Sequence, residues 1–217
     1  MDTSKILELF DEQMRPPGIF ESDGYTMVFR PPADGDVDGL IEKLRSYDGY
    51  REWKYYEHDG PELRERLLAA GLEPDDEETV VVAEAAAIAP PPEEVDLRED
   101  GEAFVDLVAT VFAEKRRELE PSSVPVVAFV DGRPVSCGRI DFDGAGVFAG
   151  LFGGVTLPEF RGRGLYRATV ARRAELARER GIPYLYVDAL PTSRPILERL
   201  GFVRLTTTTP FNPPAAR

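Results

Sequence analysis

Two residue types with a chemical use fall together between Gly153 and Gly164: glycines that clear space around the backbone, and arginines with permanent charge. Gly153-Gly154 sits inside an apolar strand pattern. Glycine there weakens a strand, and marks a bulge or a place where something approaches the backbone closely. The strand runs into Arg161-Gly162-Arg163-Gly164, directly ahead of a helical pattern. The first N–H groups of a helix have no partners in the chain, and the helix dipole makes that end partly positive. Gly162 and Gly164 let those N–H groups wrap a phosphate, and Arg161 and Arg163 add charge. The same residues also suit a tight strand-to-helix turn on a solvated surface. The loop is not a Walker loop, because no Gly-Lys-Ser/Thr follows, and it is not a dinucleotide Gly-x-Gly-x-x-Gly.

Other reactive side chains are scarce. A single cysteine, Cys137, excludes an internal disulfide framework and a cysteine zinc cluster. A single histidine, His58, excludes a histidine-rich metal site and disfavours a histidine-dependent triad. No metal is expected. Cys137 reads as a small apolar filler on a strand, and His58 as structural before catalytic. Trp53, Tyr55 and Tyr56 read as core or domain-interface residues before a substrate cage.

The elements that must position the Gly/Arg segment are legible around it. Val126–Val130, Val135–Phe142 and Val147–Leu157 read as three strands of a meander, turned at Asp131-Gly132 and Asp143-Gly144. A helix from Leu165 to Arg180 follows the loop and stops at Gly181 and Pro183. Next come a strand at Tyr184–Ala189, a short helix capped by Thr192 or Ser193 and stopped at Gly201, and a last strand at Val203–Thr209. Upstream, a helix at 100–120 places Phe104, Leu107, Val108, Val111 and Phe112 on one face. Three prolines at 90–92 make a stiff connector over 89–95. Before it, helices at 3–13, 35–46 and 61–70 alternate with strands at Tyr25–Arg30, near Glu52–Glu57 and at Thr79–Ala87. Lys54–Leu72 lies on Tyr184–Phe202 without a gap, Pro61/Pro191, Leu67/Leu197 and Gly71/Gly201 coinciding. Residues 1–88 then read as a truncated copy of 96–217.

The order of hairpin meander, bulged strand, Arg/Gly loop, long helix, strand, short helix and last strand resembles the GNAT superfamily of acyl-CoA-dependent N-acyltransferases. The matching residues are Thr156-Leu157-Pro158-Glu159-Phe160-Arg161-Gly162-Arg163-Gly164 and, at the second motif, Ile196-Leu197-Glu198-Arg199-Leu200-Gly201-Phe202. The resemblance covers about residues 96–217. It implies a mixed, mostly antiparallel α/β sheet with splayed central strands, plus a smaller half-GNAT-like α/β domain at 1–88. Acetyl-CoA would lie between the strands at 147–157 and 184–189. Its pyrophosphate would sit on Arg161, Gly162, Arg163, Gly164 and Leu165, and its pantetheine arm along Gly154, Val155, Thr156 and Leu157. An amine acceptor attacks the thioester, and a strand N–H near Gly154–Val155 stabilises the oxyanion. Two positions depart from the family. Tyr166 stands where the loop motif ends in a small residue, and either narrows the seat or points outward. Leu197 stands where many members have the tyrosine that protonates the leaving thiolate. The substitutes lie on the strand at 184–189, where Tyr184, Tyr186 and Asp188 alternate on one face. Asp188 is a proton acceptor or cation binder, or else a capped turn or a salt bridge to an arginine. Tyr186 is next in rank, and Ser193 is a cap or a group near the thiol.

The net charge is −14 and unevenly placed: residues 1–100 carry −17, and 101–217 carry +3. This argues against nucleic acid and anionic membranes as partners. Either the acidity serves solubility, or a basic cofactor site lies beside an acidic site for a cationic partner. No apolar run reaches membrane-spanning length, and the N-terminus does not read as a signal peptide, so the expected location is cytoplasmic. The expectation is acetyl transfer from acetyl-CoA to a primary amine, by a monomer or homodimer. The alternative is an acyl-CoA-binding sensor or partner module without turnover.

Overall fold

The computed structural model describes residues 1–22, 25–32, 35–112, 118–142 and 146–214. Among these, eleven strands and six α-helices make a mixed α/β fold whose strand pairs are mostly antiparallel. The chain forms two compact units that do not follow chain order. The first holds Met1–Val80, Asp188–Thr192 and Arg204–Arg217; the second holds Val81–Val187 and Ser193–Val203.

In the first unit, helix α1 (Thr3–Met14) begins at Asp2, whose side chain accepts from the N–H of Lys5. Strands β1 (Ile19–Ser22) and β2 (Tyr25–Val28) pair antiparallel. Helix α2 (Val37–Ser46) leads to β3 (Tyr50–Tyr56), which runs parallel to β2. Val37, Leu40, Ile41 and Leu44 on one face of α2 pack with Val28, Trp53, Tyr55, Leu67 and Phe211. Helix α3 (Pro61–Ala69) follows, with a short β4 (Glu73–Pro74). Strand β11 (Val203–Asn212) pairs antiparallel with β3 and β4. Strand β5 (Glu78–Glu84) starts in this unit.

In the second unit, β6 (Asp96–Arg98), β7 (Ser123–Val130), β8 (Arg133–Asp141) and β9 (Phe148–Thr156) form an antiparallel run. Strand β10 (Tyr184–Ala189) joins β9 in parallel. Helix α4 (Gly101–Phe112) packs Phe104 and Leu107 onto Val127, Cys137 and Val155. Helix α5 (Leu165–Glu179) packs Leu165 onto Ala128 and Val135. Helix α4 stops short of the expected 120, with 113–117 outside the described residues; the turn expected at Asp143-Gly144 also falls outside them.

The aligned segments share their helix stops. Gly71 and Gly201 both have positive φ, +79° and +97°. The N–H of Leu72 donates to Leu67 O, and that of Phe202 to Leu197 O, both at 3.1 Å.

Candidate functional site

Strands β9 and β10 pair only over Phe148–Gly150 and Tyr184–Tyr186. From Leu151 to Thr156, β9 pairs with β8 alone, so its other edge offers backbone groups without a strand partner. This parting has a local cause. Cys137 opposes Val155 and Arg139 opposes Phe152, so Gly153 and Gly154 stand against Gly138 alone in a bulge. Gly153 has φ +61°, and a Cβ on it would lie 2.9 Å from the ring of Phe104. A Cβ on Gly154 would lie 2.8 Å from Tyr166 Cε2. Tyr166 therefore neither points outward nor fills the loop: its ring lies on Gly154, and it hydrogen-bonds buried Arg173. The bulky residue on the helix and the missing side chain on the strand compensate one another.

Beyond β9 the backbone makes one tight turn, Phe160 N–H to Leu157 O at 2.9 Å and Arg161 N–H to Pro158 O at 3.2 Å. The N–H groups of Gly162, Arg163, Gly164 and Leu165 find no acceptor among the described residues. Gly162 (φ +75°) and Gly164 (φ +78°) adopt the left-handed conformation, and nothing lies within 4 Å of a Cβ on Gly162. Gly164 is the N-cap of α5. Arg161 Nε holds Thr156 O at 3.3 Å and Arg163 holds Glu159 O at 3.3 Å, while both side chains stay exposed. Arg133 ion-pairs with Glu159 at 3.0 Å. The loop thus leaves four N–H groups without acceptors among the described residues at the positive end of a helix, with exposed arginine side chains beside them.

The remaining expected site residues are placed as follows. Tyr186 is buried edge-on against Phe148 and Phe152. Ser193 precedes α6 (Arg194–Arg199) and its carbonyl accepts from Ile196 and Leu197, but its hydroxyl makes no cap hydrogen bond, contrary to expectation. Leu197 is fully buried. Asp188 is buried and its Oδ2 accepts from Lys54 Nζ, so its salt-bridge partner is a lysine and not an arginine. His58 is tied into the first unit, Nδ1 3.0 Å from Thr206 Oγ1 and Nε2 3.0 Å from Asp11 and 2.6 Å from Arg15. Trp53, Tyr55 and Tyr56 are buried.

Sequence reasoning missed Glu52, Lys54 and Glu78, which meet Asp188 in the first unit. Lys54 Nζ lies 3.8 Å from Glu78 Oε2. Burial works against the Lys54 ammonium, but Asp188 first, then Tyr56, Glu52 and Glu78, hold its pKa well above the usual lysine value. Burial also pushes the Glu78 carboxyl up to about 7; Lys54 pulls the other way, and Asp188, Glu52 and Asp75 push further up. The available signal was the alternation of Tyr50, Glu52, Lys54 and Tyr56 opposite Trp53 and Tyr55.

The described residues contain no cluster of three or more His, Cys, Asp or Glu able to hold a metal ion, and no helix long and apolar enough to cross a membrane. The fold is shared with GCN5-related N-acetyltransferases. One, from Kribbella flavida, aligns over 99% of this chain and 96% of its own, at 16% identity and a TM-score of 0.70. Another, from Sphaerobacter thermophilus, aligns over 86% and 71%, at 14% identity and a TM-score of 0.61. A functionally unknown conserved protein from Staphylococcus epidermidis aligns over 93% and 96%, at 14% identity and a TM-score of 0.60. No curated protein matches the chain. The profile of the acetyltransferase (GNAT) family matches residues 87–202, and the chain belongs to that family.

Proposed function

We propose that the chain transfers an acetyl group from acetyl-CoA to a primary amine. One observation carries this reading: an unpartnered edge of β9 leads through a bulge into four unpartnered N–H groups at the start of α5. Gly162, Arg163, Gly164 and Leu165 would hold the pyrophosphate through their N–H groups, with Arg161 and Arg163 adding charge. Gly154, Val155, Thr156 and Leu157 would align the pantetheine arm, and an N–H at the bulge would receive the oxyanion. The amine nitrogen bonds to the thioester carbon, the C–S bond breaks, and the nitrogen loses a proton. CoA leaves as a thiolate that takes up a proton. In-line positioning then supplies much of the rate. We also propose that 1–88 is a truncated copy of 96–217 joined by 89–95, supported by the shared helix stops at Gly71 and Gly201.

The test is CoA-dependent stabilisation. Acetyl-CoA raises the melting temperature of the folded chain. Gly162→Glu places a carboxylate in the seat and abolishes that rise. Gly162→Ala carries the same backbone penalty without charge and keeps most of it. An undiminished rise in folded Gly162→Glu overturns the seat. Leu197 favours a second reading, a domain that binds acyl-CoA without turnover. Thiol release across an amine panel decides between the two.

A further inference from the structure

Two arginines are buried among the described residues, and their partners differ. Arg15, in the first unit, is 2% exposed and ion-pairs with Asp11 and Asp59. Arg173, on α5 in the second unit, is 1% exposed and makes no ion pair among the described residues. Its Nε donates to Thr169 O at 3.0 Å, its Nη1 to Arg139 O at 3.1 Å and its Nη2 to Thr169 Oγ1 at 3.4 Å. It also hydrogen-bonds Tyr166. Every one of these partners is neutral. Asp141 acts on the guanidinium from further off and is itself committed to Arg139 Nε at 3.0 Å and Ser123 Oγ at 2.6 Å. A guanidinium keeps its proton in a protein, so burial leaves a full positive charge without a counter-charge beside it, which is costly.

A second observation says where that charge stands. A Cβ on Gly138 would lie 2.6 Å from Arg173 Cζ and Nη1. Gly138 is the residue of β8 that faces Gly153 and Gly154 across the bulge. Tyr166, bonded to the same guanidinium, lays its ring on Gly154. The guanidinium therefore lies against the backbone of the bulge, and its bond to Arg139 O ties α5 to β8 at that point. A charge held by four fixed partners needs no reorganisation when an opposite charge forms near it. Away from water, such a charge acts far more strongly than it would on the surface.

We propose that Arg173 is a positioning residue for acyl transfer, which holds the bulge of β9 in shape and supplies the counter-charge for the negative charge that forms there. This inference rests on the acetyl-CoA reading. When the amine nitrogen bonds to the thioester carbon, one electron pair of C=O moves onto oxygen at the bulge. When that pair returns, the C–S bond breaks and its electrons leave on sulfur. The nitrogen gives a proton to water, and the thiolate later takes one up. Arg173 gives and takes no proton. It lowers the energy of each anionic stage from behind the bulge backbone. Leu197 has no proton to offer the leaving sulfur, and a thiolate stabilised by a nearby cation can leave unprotonated.

The probe is CoA bound to the full chain, its thiol titrated by thiolate absorbance. The chain's one cysteine does not interfere, because burial pushes Cys137 up to about 12. Bound CoA should ionise at lower pH than free CoA, with about tenfold more thiolate at a given pH. Arg173→Gln keeps hydrogen-bond donors without the charge, and returns the titration to that of free CoA. Arg173→Lys keeps the charge without the planar fork, and retains most of the lowering. A purely structural role would not sort the two variants by charge. Acetyl-CoA stabilisation of each variant reports folding and binding. A lowering that Arg173→Gln keeps, or that Arg173→Lys loses, overturns the proposal. If Arg173→Gln does not fold, the wild type and Arg173→Lys decide: a bound thiol that titrates like free CoA overturns it, and a lowering that Arg173→Lys retains supports it. The outcomes also separate this inference from the reading beneath it. No acetyl-CoA stabilisation of the wild type sinks both. Stabilisation with an unshifted thiol sinks the inference alone. A lowered thiol that Arg173→Gln restores, without thiol release by any amine, sinks turnover and leaves the charge at the bulge.

Discussion

Cys137 and Glu78 both sit where burial disfavours the charged form, and their neighbours separate their fates. The Cys137 thiol is pushed up to about 12 by burial, with Arg173 a weaker opposing influence, so it stays a neutral filler against Phe104 and Val155. Glu78 is pushed from 4.5 to about 7 by burial and by the carboxylates around it, which brings its titration into the working range. A carboxyl group whose folded pKa is raised gives stability that is complete below the unfolded pKa and lost as pH rises through the folded one. Wild-type stability should therefore fall, relative to Glu78→Gln, between about pH 4.5 and pH 7. At pH 8 the variant should be the more stable by about 1–3 kcal/mol, allowing for partial solvent screening. Urea unfolding at pH 5 and pH 8 checks this. Wild-type stability that rises with pH relative to the variant would mean that Glu78 already ionises well below neutrality.

At the scale of elements, the fit of α5 on β9 rests on an exchange of bulk between Gly154 and Tyr166. Gly154→Ala should cost about 1–3 kcal/mol, because the ring stands on the start of a helix and cannot retreat freely. In a Tyr166→Ala background the same substitution should cost under about 0.5 kcal/mol, so the two changes couple strongly in a double-mutant cycle. Additive costs in chemical denaturation would place the ring elsewhere. This strand–loop–helix unit was legible in the sequence because its glycines do work that no other residue can. Gly153, Gly162 and Gly164 all adopt positive φ, and Gly181 and Gly201 stop their helices the same way. The short strands β1, β4 and β6 were not legible: two to four residues carry no periodicity, and only their partners make them strands. The charged face of β3 was hidden for another reason. Its aromatic residues announce a core strand, and a column of Tyr50, Glu52 and Lys54 reads as solvated until β5 and β10 bring Glu78 and Asp188 to it. Those contacts join residues up to 134 positions apart, which no local pattern encodes.

For the whole molecule the relevant quantity is the field. A net charge of −14, with −17 in residues 1–100, makes the chain attractive to cations at distances where no contact is yet made. The same field would repel an anionic donor such as the proposed acetyl-CoA, and the exposed Arg161 and Arg163 supply positive charge locally at the loop. Steering of this kind acts on the encounter rate and is screened over about 8 Å at physiological ionic strength. A di- or polyamine carries more than one positive charge and should gain most from it. The expected outcome is that kcat/KM for such an amine falls severalfold between about 20 mM and 300 mM salt, while kcat stays nearly constant, because salt screens approaching groups more than bound ones. A neutral arylamine assayed beside it should show little salt dependence in either parameter. The two effects also separate by variant. Replacing exposed acidic residues such as Glu65 and Glu77 should flatten the salt dependence and leave kcat unchanged, whereas Asp188→Asn, at a half-buried candidate for the amine's proton acceptor, should lower kcat/KM at every salt concentration. Salt-independent kcat/KM for cationic amines, with neutral amines preferred, would show that the acidity serves solvation alone.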